Sequence, residues 1–209
     1  MRLIVITPPL AVNEEARLVN SLFANGLQRL HVRKPSFTND DHRKYLADID
    51  SQWYTRIVLH DCYELYSECS LGGIHLNSFS RDDVNTWQQI KDIPPSAIST
   101  SFHAWEEIEQ NTFPYGYVFI SPVFDSISKT GYKAGIALSQ AMETQEHLAI
   151  RDKYCPPIIG LGGVIAEKIE LLYQNGFDGA AMLGAVWQSE DPVKVFKQAT
   201  ERINSLQGI

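Results

Sequence analysis

Two glycine-rich turns near the end of the chain carry the first readable chemistry. PIIGLGG (157–163) brings an apolar run into Gly160, Gly162 and Gly163, and FDGAAMLGAVW (177–187) brings a second into Gly184, with the helix-like EKIELLYQNG (167–176) between them. Backbone N–H groups approach phosphate oxygens closely only where no Cβ intervenes, and a following helix N-terminus adds partial positive charge. The pair therefore suits a phosphate group. A second set of polar residues recurs at the ends of apolar runs. Thr7 closes the first run, His31, Arg33 and Lys34 the second, His60 and Asp61 the third, His75 and Asn77 the fourth, and Ser101 and His103 the fifth. Asp125, Ser126, Ser128 and Lys129 follow the sixth. Imidazoles, cations, hydroxyls and carboxylates gathered in one place could bind an anion and move protons.

These residues can share a site only if the runs that carry them are parallel strands. RLIVIT (2–7), RLHVRK (29–34), RIVLHD (56–61), GGIHLN (72–77), AISTSFH (97–103) and GYVFISPVF (116–124) precede the two glycine-rich units. Helix-period segments follow them, as in NEEARLVNSLFANG (13–26), which opens at Asn13 and closes at Gly26. Strand-helix alternation with short connections implies a parallel sheet, and runs such as IVI, VFI and PII imply strands covered on both faces. Eight such pairs favour an α/β fold of the closed (β/α)8 TIM-barrel type over an open sheet. The barrel is expected as a single domain over residues 1–209, with no linker or low-complexity tract. In such barrels the C-terminal strand ends share one face, and phosphate commonly sits in the loops after strands seven and eight. Four of the 6 histidines fall at strand ends, while His42 and His147 fall in helices.

Composition narrows the partners. The 209 residues are 44% hydrophobic and 21% charged, which is ordinary for a globular chain. A formal net charge of -7 argues against nucleic acid or an acidic membrane surface, so any anion site must be a local basic pocket. Cys62, Cys69 and Cys155 are odd in number and lack metal-ligand pairing, which suits reduced thiols in a cytoplasmic protein. The seven-residue separation of Cys62 and Cys69 reads as helical core filling. The apolar run in MRLIVITPPL is too short for a signal-peptide core, and none approaches the ~20 residues needed to cross a bilayer.

The motifs HVRKP, VLHDCYEL, GGIHLNSFS, STSFHAWEE, YVFISPVFDSISKTG, IIGLGGV and FDGAAMLGAVW, in that order, resemble those of the thiamine phosphate synthases and their relatives the thiazole tautomerases. The resemblance covers essentially the whole chain. It implies a transferase of thiamine biosynthesis that joins hydroxymethylpyrimidine diphosphate to thiazole phosphate and releases pyrophosphate. By the same resemblance Arg33, Ser101 and Lys129 would hold the pyrophosphate, and Asp61 would bind Mg2+. The thiazole phosphate would lie on Gly162, Gly163 and Gly184.

The pattern also departs from the synthases. His31 stands where they usually have glutamine, Pro35 where they have lysine, and His60 where they have asparagine. Ser80 stands in place of the second magnesium aspartate, with Asp82 and Asp83 just beyond. The tautomerases lack that aspartate too, but Pro122 occupies the place of their proton-shuttling histidine. A tautomerase would therefore need His31, His75 or His103 to move the proton. A binder of thiamine intermediates without activity is the third alternative.

Each candidate also has a structural reading. Asp61 could cap a helix, His75 could be a core histidine, and His103 could contact the helix N-terminus that follows it. His31 should share a barrel-facing side with Arg33. Lys34, Ser126 and Ser128 complete the expected substrate-binding set, and Tyr115, Tyr117, Phe119 and Phe124 read as barrel packing.

Overall fold

Strands that are apolar at successive positions must be covered on both sides, and the chain meets that demand by closing its sheet on itself. The computed structural model describes residues 1–125, 136–150 and 153–208. Eight parallel strands form a closed barrel in sequence order, with β8 returning to β1. They are β1 (Arg2–Ile6), β2 (Arg29–Val32), β3 (Ile57–Leu59), β4 (Gly73–Leu76), β5 (Ile98–Phe102), β6 (Tyr117–Ile120), β7 (Ile158–Leu161) and β8 (Gly179–Met182). Every expected strand is present but ends earlier than its apolar run suggests, so Arg33, Asp61 and His103 lie on loops just past strand ends. The expected TIM-barrel class holds.

The connecting helices are α1 (Glu15–Ala24), α2 (Asn39–Ala47), α3 (Leu65–Glu68), α4 (Ser78–Asp82), α5 (Val84–Gln89) and α6 (Trp105–Gln110). They continue as α7 (Gln140–Ile150), α8 (Ile169–Gln174), α9 (Gly184–Trp187) and α10 (Pro192–Gln207). Thr38 and Asp41 form a reciprocal capping box at the start of α2. Between α4 and α5 Asp83 leaves the helix and accepts from Thr86 N and Oγ1, both at 2.8 Å. Asn13 does not cap α1, whose first turn instead follows Glu14 in the left-handed region at φ 55°. Cys62 sits before α3 at φ 56° and so is not on a helix with Cys69.

Two apolar layers result. The larger lies between strands and helices and includes Val5, Phe23, Leu30, Leu59, Val118 and Phe196. The smaller fills one side of the barrel interior with Ile4, Ile6, Phe119, Ile159 and Ala181, together with the ring of Tyr117. The other side is polar. In-register pairing of His75 with Ser99, Ser99 with Tyr117, and Ser101 with Phe119 points hydroxyls and an imidazole into the same space.

Lys34 corrects an expectation. Its side chain is completely buried, and its ammonium donates to Pro8 O at 2.7 Å, Leu10 O at 3.1 Å and Glu15 Oε2 at 2.7 Å. An ammonium has three donors, so none remains for a substrate. Burial lowers its pKa and the Glu15 carboxylate works in the opposite direction. Lys34 thus fastens the β1–α1 loop to the end of β2, and Tyr45 Oη adds a bond to Glu15 Oε1 at 2.8 Å. Glu15→Ala strands that ammonium and should cost about 3–5 kcal/mol of stability. The urea midpoint should fall at unchanged slope; a loss below about 1 kcal/mol would show that water replaces the carboxylate.

Candidate functional site

The parallel barrel brings every strand's C-terminal end to one face, and Arg33 stands on its rim. Thr7 positions it: Arg33 N donates to Thr7 Oγ1 at 2.9 Å, and the Thr7 hydroxyl returns to Arg33 O at 3.5 Å. Thr7 is fully buried and Arg33 is exposed. Its guanidinium makes no ion pair among the described residues, yet lies close enough to disfavour protonation of His60 and His75.

Beneath Arg33 the interior holds three imidazoles in contact. His31 Nδ1 and His60 Nε2 are 2.9 Å apart, and His31 Nε2 meets the Tyr117 hydroxyl. The His60 and His75 rings lie 4.3 Å apart between centroids, inclined by 30°. Ser99 and Ser101 hold the two nitrogens of His75. With its hydroxyl proton on Ile74 O at 3.2 Å, Ser99 is able to accept from His75 Nδ1 at 2.9 Å. In that tautomer His75 Nε2 carries the lone pair and receives the Ser101 hydroxyl at 3.0 Å.

Burial keeps these rings neutral. His31 is pushed well below the usual histidine range by desolvation, then by His75 and Arg29. His60 is pushed well below it by desolvation, then by His75, His31 and Arg33. His75 is lowered to about 3 by desolvation and then by Arg33. The buried phenol of Tyr117 is raised to about 12 by desolvation.

Beside this cluster, Asp61 borders a surface groove of about 420 Å³ together with Tyr63, Asn77, Phe79, Ser80 and Asp83. Neither nearby carboxylate is a free substitute for an acid at Ser80. Asp83 caps Thr86, and Asp82 lies 3.5 Å from Arg81 Nε. Asp61 is half-buried and does not cap α3, and Glu64, a further acid on the groove, accepts from Asn39 Nδ2, so the expected cap by Asp61 is not observed. Ser80 itself donates to Asn77 O at 3.2 Å.

The glycine turns lie side by side, because Leu161 of β7 pairs with Ala181 of β8 just before them. Gly162 and Gly163 are partly exposed, at φ 98° and 63°. A Cβ on Gly163 would lie 2.3 Å from Asp125 O, and one on Gly162 would lie 2.9 Å from Pro122 Cα. The β6 loop therefore passes directly over this turn, held by Val123 N to Leu161 O at 3.0 Å and Phe124 N to Gly162 O at 3.1 Å. Gly160 belongs to packing instead, since its Cβ position meets Leu172 and Phe177 of the outer layer. Gly184 opens α9, which Trp187 anchors by donating from Nε1 to Ile6 O at 2.7 Å.

His103 is exposed and ties β5 to the β6 loop by donating from Nδ1 to Ser121 O at 2.9 Å. Ser126, Ser128 and Lys129 lie outside the described residues. The structure thus brings together His31, His75 and Ser101, with Arg33 above them. His60 is among the strand-end residues expected on this face, whereas Ser99 and Tyr117 are not. The available signal was alternation: Ser99 stands two before Ser101, and Tyr117 two before Phe119, on the inward face.

Neutral buried imidazoles make a pH prediction. Their folded pKa values lie below the unfolded value of about 6.5, so the unfolded chain binds more protons as the pH falls. Stability from this source is complete above that value and is lost on acidification, at up to about 1.4 kcal/mol per pH unit for each ring. The urea midpoint should decline steeply between about pH 6.5 and pH 5, before most carboxylates titrate. His60→Asn should make the decline shallower, and a flat profile in wild type would show that the rings titrate normally.

Comparison with known proteins agrees with the barrel fold. Residues 3–186 match the family described as thiamine monophosphate synthase. A thiamine-phosphate synthase of Bacillus velezensis is 25% identical over 163 residues, covering 77% of this chain and 68% of that protein. One of Lysinibacillus sphaericus is 26% identical over 152 residues, covering 69% and 66%. The matched stretch thus spans about two thirds of these relatives. A crystal structure of thiamine phosphate pyrophosphorylase from Bacteroides thetaiotaomicron superposes with a TM-score of 0.76 at 28% identity, covering 98% of both chains. A family match over most of the barrel, in strand order, means that the chain belongs to the thiamine monophosphate synthase family.

Proposed function

We propose that this chain is a thiamine-phosphate synthase, a transferase of thiamine biosynthesis. It joins hydroxymethylpyrimidine diphosphate to thiazole phosphate and releases pyrophosphate. The observation that carries the reading is Arg33, a rim guanidinium clamped at its backbone by Thr7 and without an ion-pair partner among the described residues. In a dissociative substitution the C–O bond to the diphosphate ionises, leaving a cation on the pyrimidine methylene that the thiazole nitrogen captures. A cation fixed before the reaction stabilises the departing pyrophosphate without solvent reorganisation, and a planar guanidinium suits its oxygens.

Ser101 would turn its hydroxyl from His75 to the same group. His75, unprotonated, can release that hydrogen bond without moving a proton. Lys129, with Ser126 and Ser128, would reach the diphosphate from the β6 loop. Gly162, Gly163 and Gly184 would receive the thiazole phosphate on the adjacent turns. His31 would support this site from within the barrel rather than touch the diphosphate, and His103 would hold the β6 loop in place.

For Mg2+, the donor set fits the minimum: one carboxylate, Asp61, on an open groove, with diphosphate oxygens and water supplying the rest. When bound there, the ion would neutralise diphosphate charge. No helix among the described residues is long and apolar enough to cross a membrane, and the three cysteines are free, which suits the cytoplasmic location that this function implies.

Arg33→Ala should lower the rate of thiamine phosphate formation by roughly a hundredfold or more. Steady-state assay with both phosphorylated halves tests this, and unchanged kinetics would remove Arg33 from the site. Ser80 shares the groove with Asp61, so Ser80→Asp should lower the Mg2+ concentration for half-maximal rate by about tenfold. An unaltered Mg2+ dependence would count against Asp61 as ligand.

A further inference from the structure

We infer that His31, His60 and His75 form a binding site for a divalent transition metal such as Zn2+ or Co2+, inside the barrel and separate from the Asp61 groove. One nitrogen from each ring lies within 4.8 Å of the others. His31 and His75 stand within β2 and β4, and His60 follows β3 directly, its N–H donating to Val32 O of β2 at 3.1 Å. Imidazole nitrogen is the donor that borderline divalent metals prefer, and three of them leave an open position.

Two of the three rings have what a metal-bound histidine needs, a partner on the nitrogen that does not face the ion. Ser99 holds His75 at Nδ1, leaving a lone pair on Nε2. Tyr117 meets His31 at Nε2, leaving Nδ1 toward His60. In the metal-free chain His31 and His60 share one hydrogen bond of 2.9 Å. Tetrahedral coordination at Zn–N of about 2.0–2.1 Å separates ligand nitrogens by roughly 3.3 Å, so this pair opens by only a few tenths of an ångström.

Burial disfavours the charged form of each ring, so the one proton to be displaced is that of the His31–His60 hydrogen bond, which must move to the far nitrogen of its own ring for both to ligate. Entry is from the rim. His60 is the most accessible of the three at 9% exposure, against 0% for His31 and 2% for His75, and Ser101 Oγ stands beside His75. The site does not depend on the transferase reading.

The test uses the full chain after chelator treatment and dialysis, titrated with Co2+ and followed by visible absorption. One Co2+ per chain should bind with the intense d–d bands of four-coordinate geometry, and Zn2+ should bleach them stoichiometrically. His31→Gln and His60→Asn keep hydrogen-bonding side chains of similar shape, and each should weaken binding by at least about a hundredfold. Ser99→Ala, which removes only a partner of a ligand, should weaken it by about tenfold. Thermal unfolding of each variant reports whether it folds, and His60→Asn, at the rim, serves if His31→Gln does not. Asp61→Asn should leave the cobalt spectrum unchanged. The inference is overturned if Co2+ does not bind stoichiometrically, if the histidine variants bind as wild type does, or if Asp61→Asn abolishes the spectrum.

Discussion

Closure of eight parallel strands is the constraint on which the rest depends. A closed sheet has no edges, so every strand's backbone donors and acceptors are paired laterally, and each strand must send alternate side chains into a shared interior. What occupies that interior is then no longer a local matter. Where inward positions are Ile4, Ile6, Phe119 and Ile159 they pack against one another. Where they are His31, His75, Ser99 and Ser101, burial obliges each polar atom to find a partner inside the same small volume. The partners come from different strands, so the hydrogen-bond network records the barrel's register.

That division of the interior gives the molecule its chemical polarity. One half is a dry apolar wall; the other is a column of neutral imidazoles and hydroxyls leading up to Arg33. Charge is kept at the rim, where it is solvated, and neutral donors and acceptors are kept below. Burial dominates the pKa of all three histidines, and Arg33 adds to it for the two nearer the rim. A guanidinium over neutral rings attracts an anion without a competing internal carboxylate.

Several residues that look ready for substrate are occupied in holding the rim in shape. Lys34 spends all three donors on the β1–α1 loop, and Asp83 caps α5. Trp187 fastens the segment after β8 to the end of β1. The glycines after β7 have a dual reason to be glycine, a left-handed backbone and the β6 loop crossing at contact distance. Here a phosphate cradle and a tight packing contact make the same demand on the sequence.

The order of strands, the barrel class, the clustering of polar residues on one face and the family were all legible in the chain, because hydrophobic period and strand-end placement are local properties. Tertiary structure alone decided which polar residues are free. Lys34 and Arg33 are neighbours of similar charge, and nothing local distinguishes the one that meets Glu15 from the one that faces solvent. Only the barrel brings His60 against His31 and Tyr117 beneath it, since these residues are up to 86 positions apart and meet through strand register. Sequence specifies which groups exist and how often they recur; partnership between distant groups depends on the closed geometry that burial imposes.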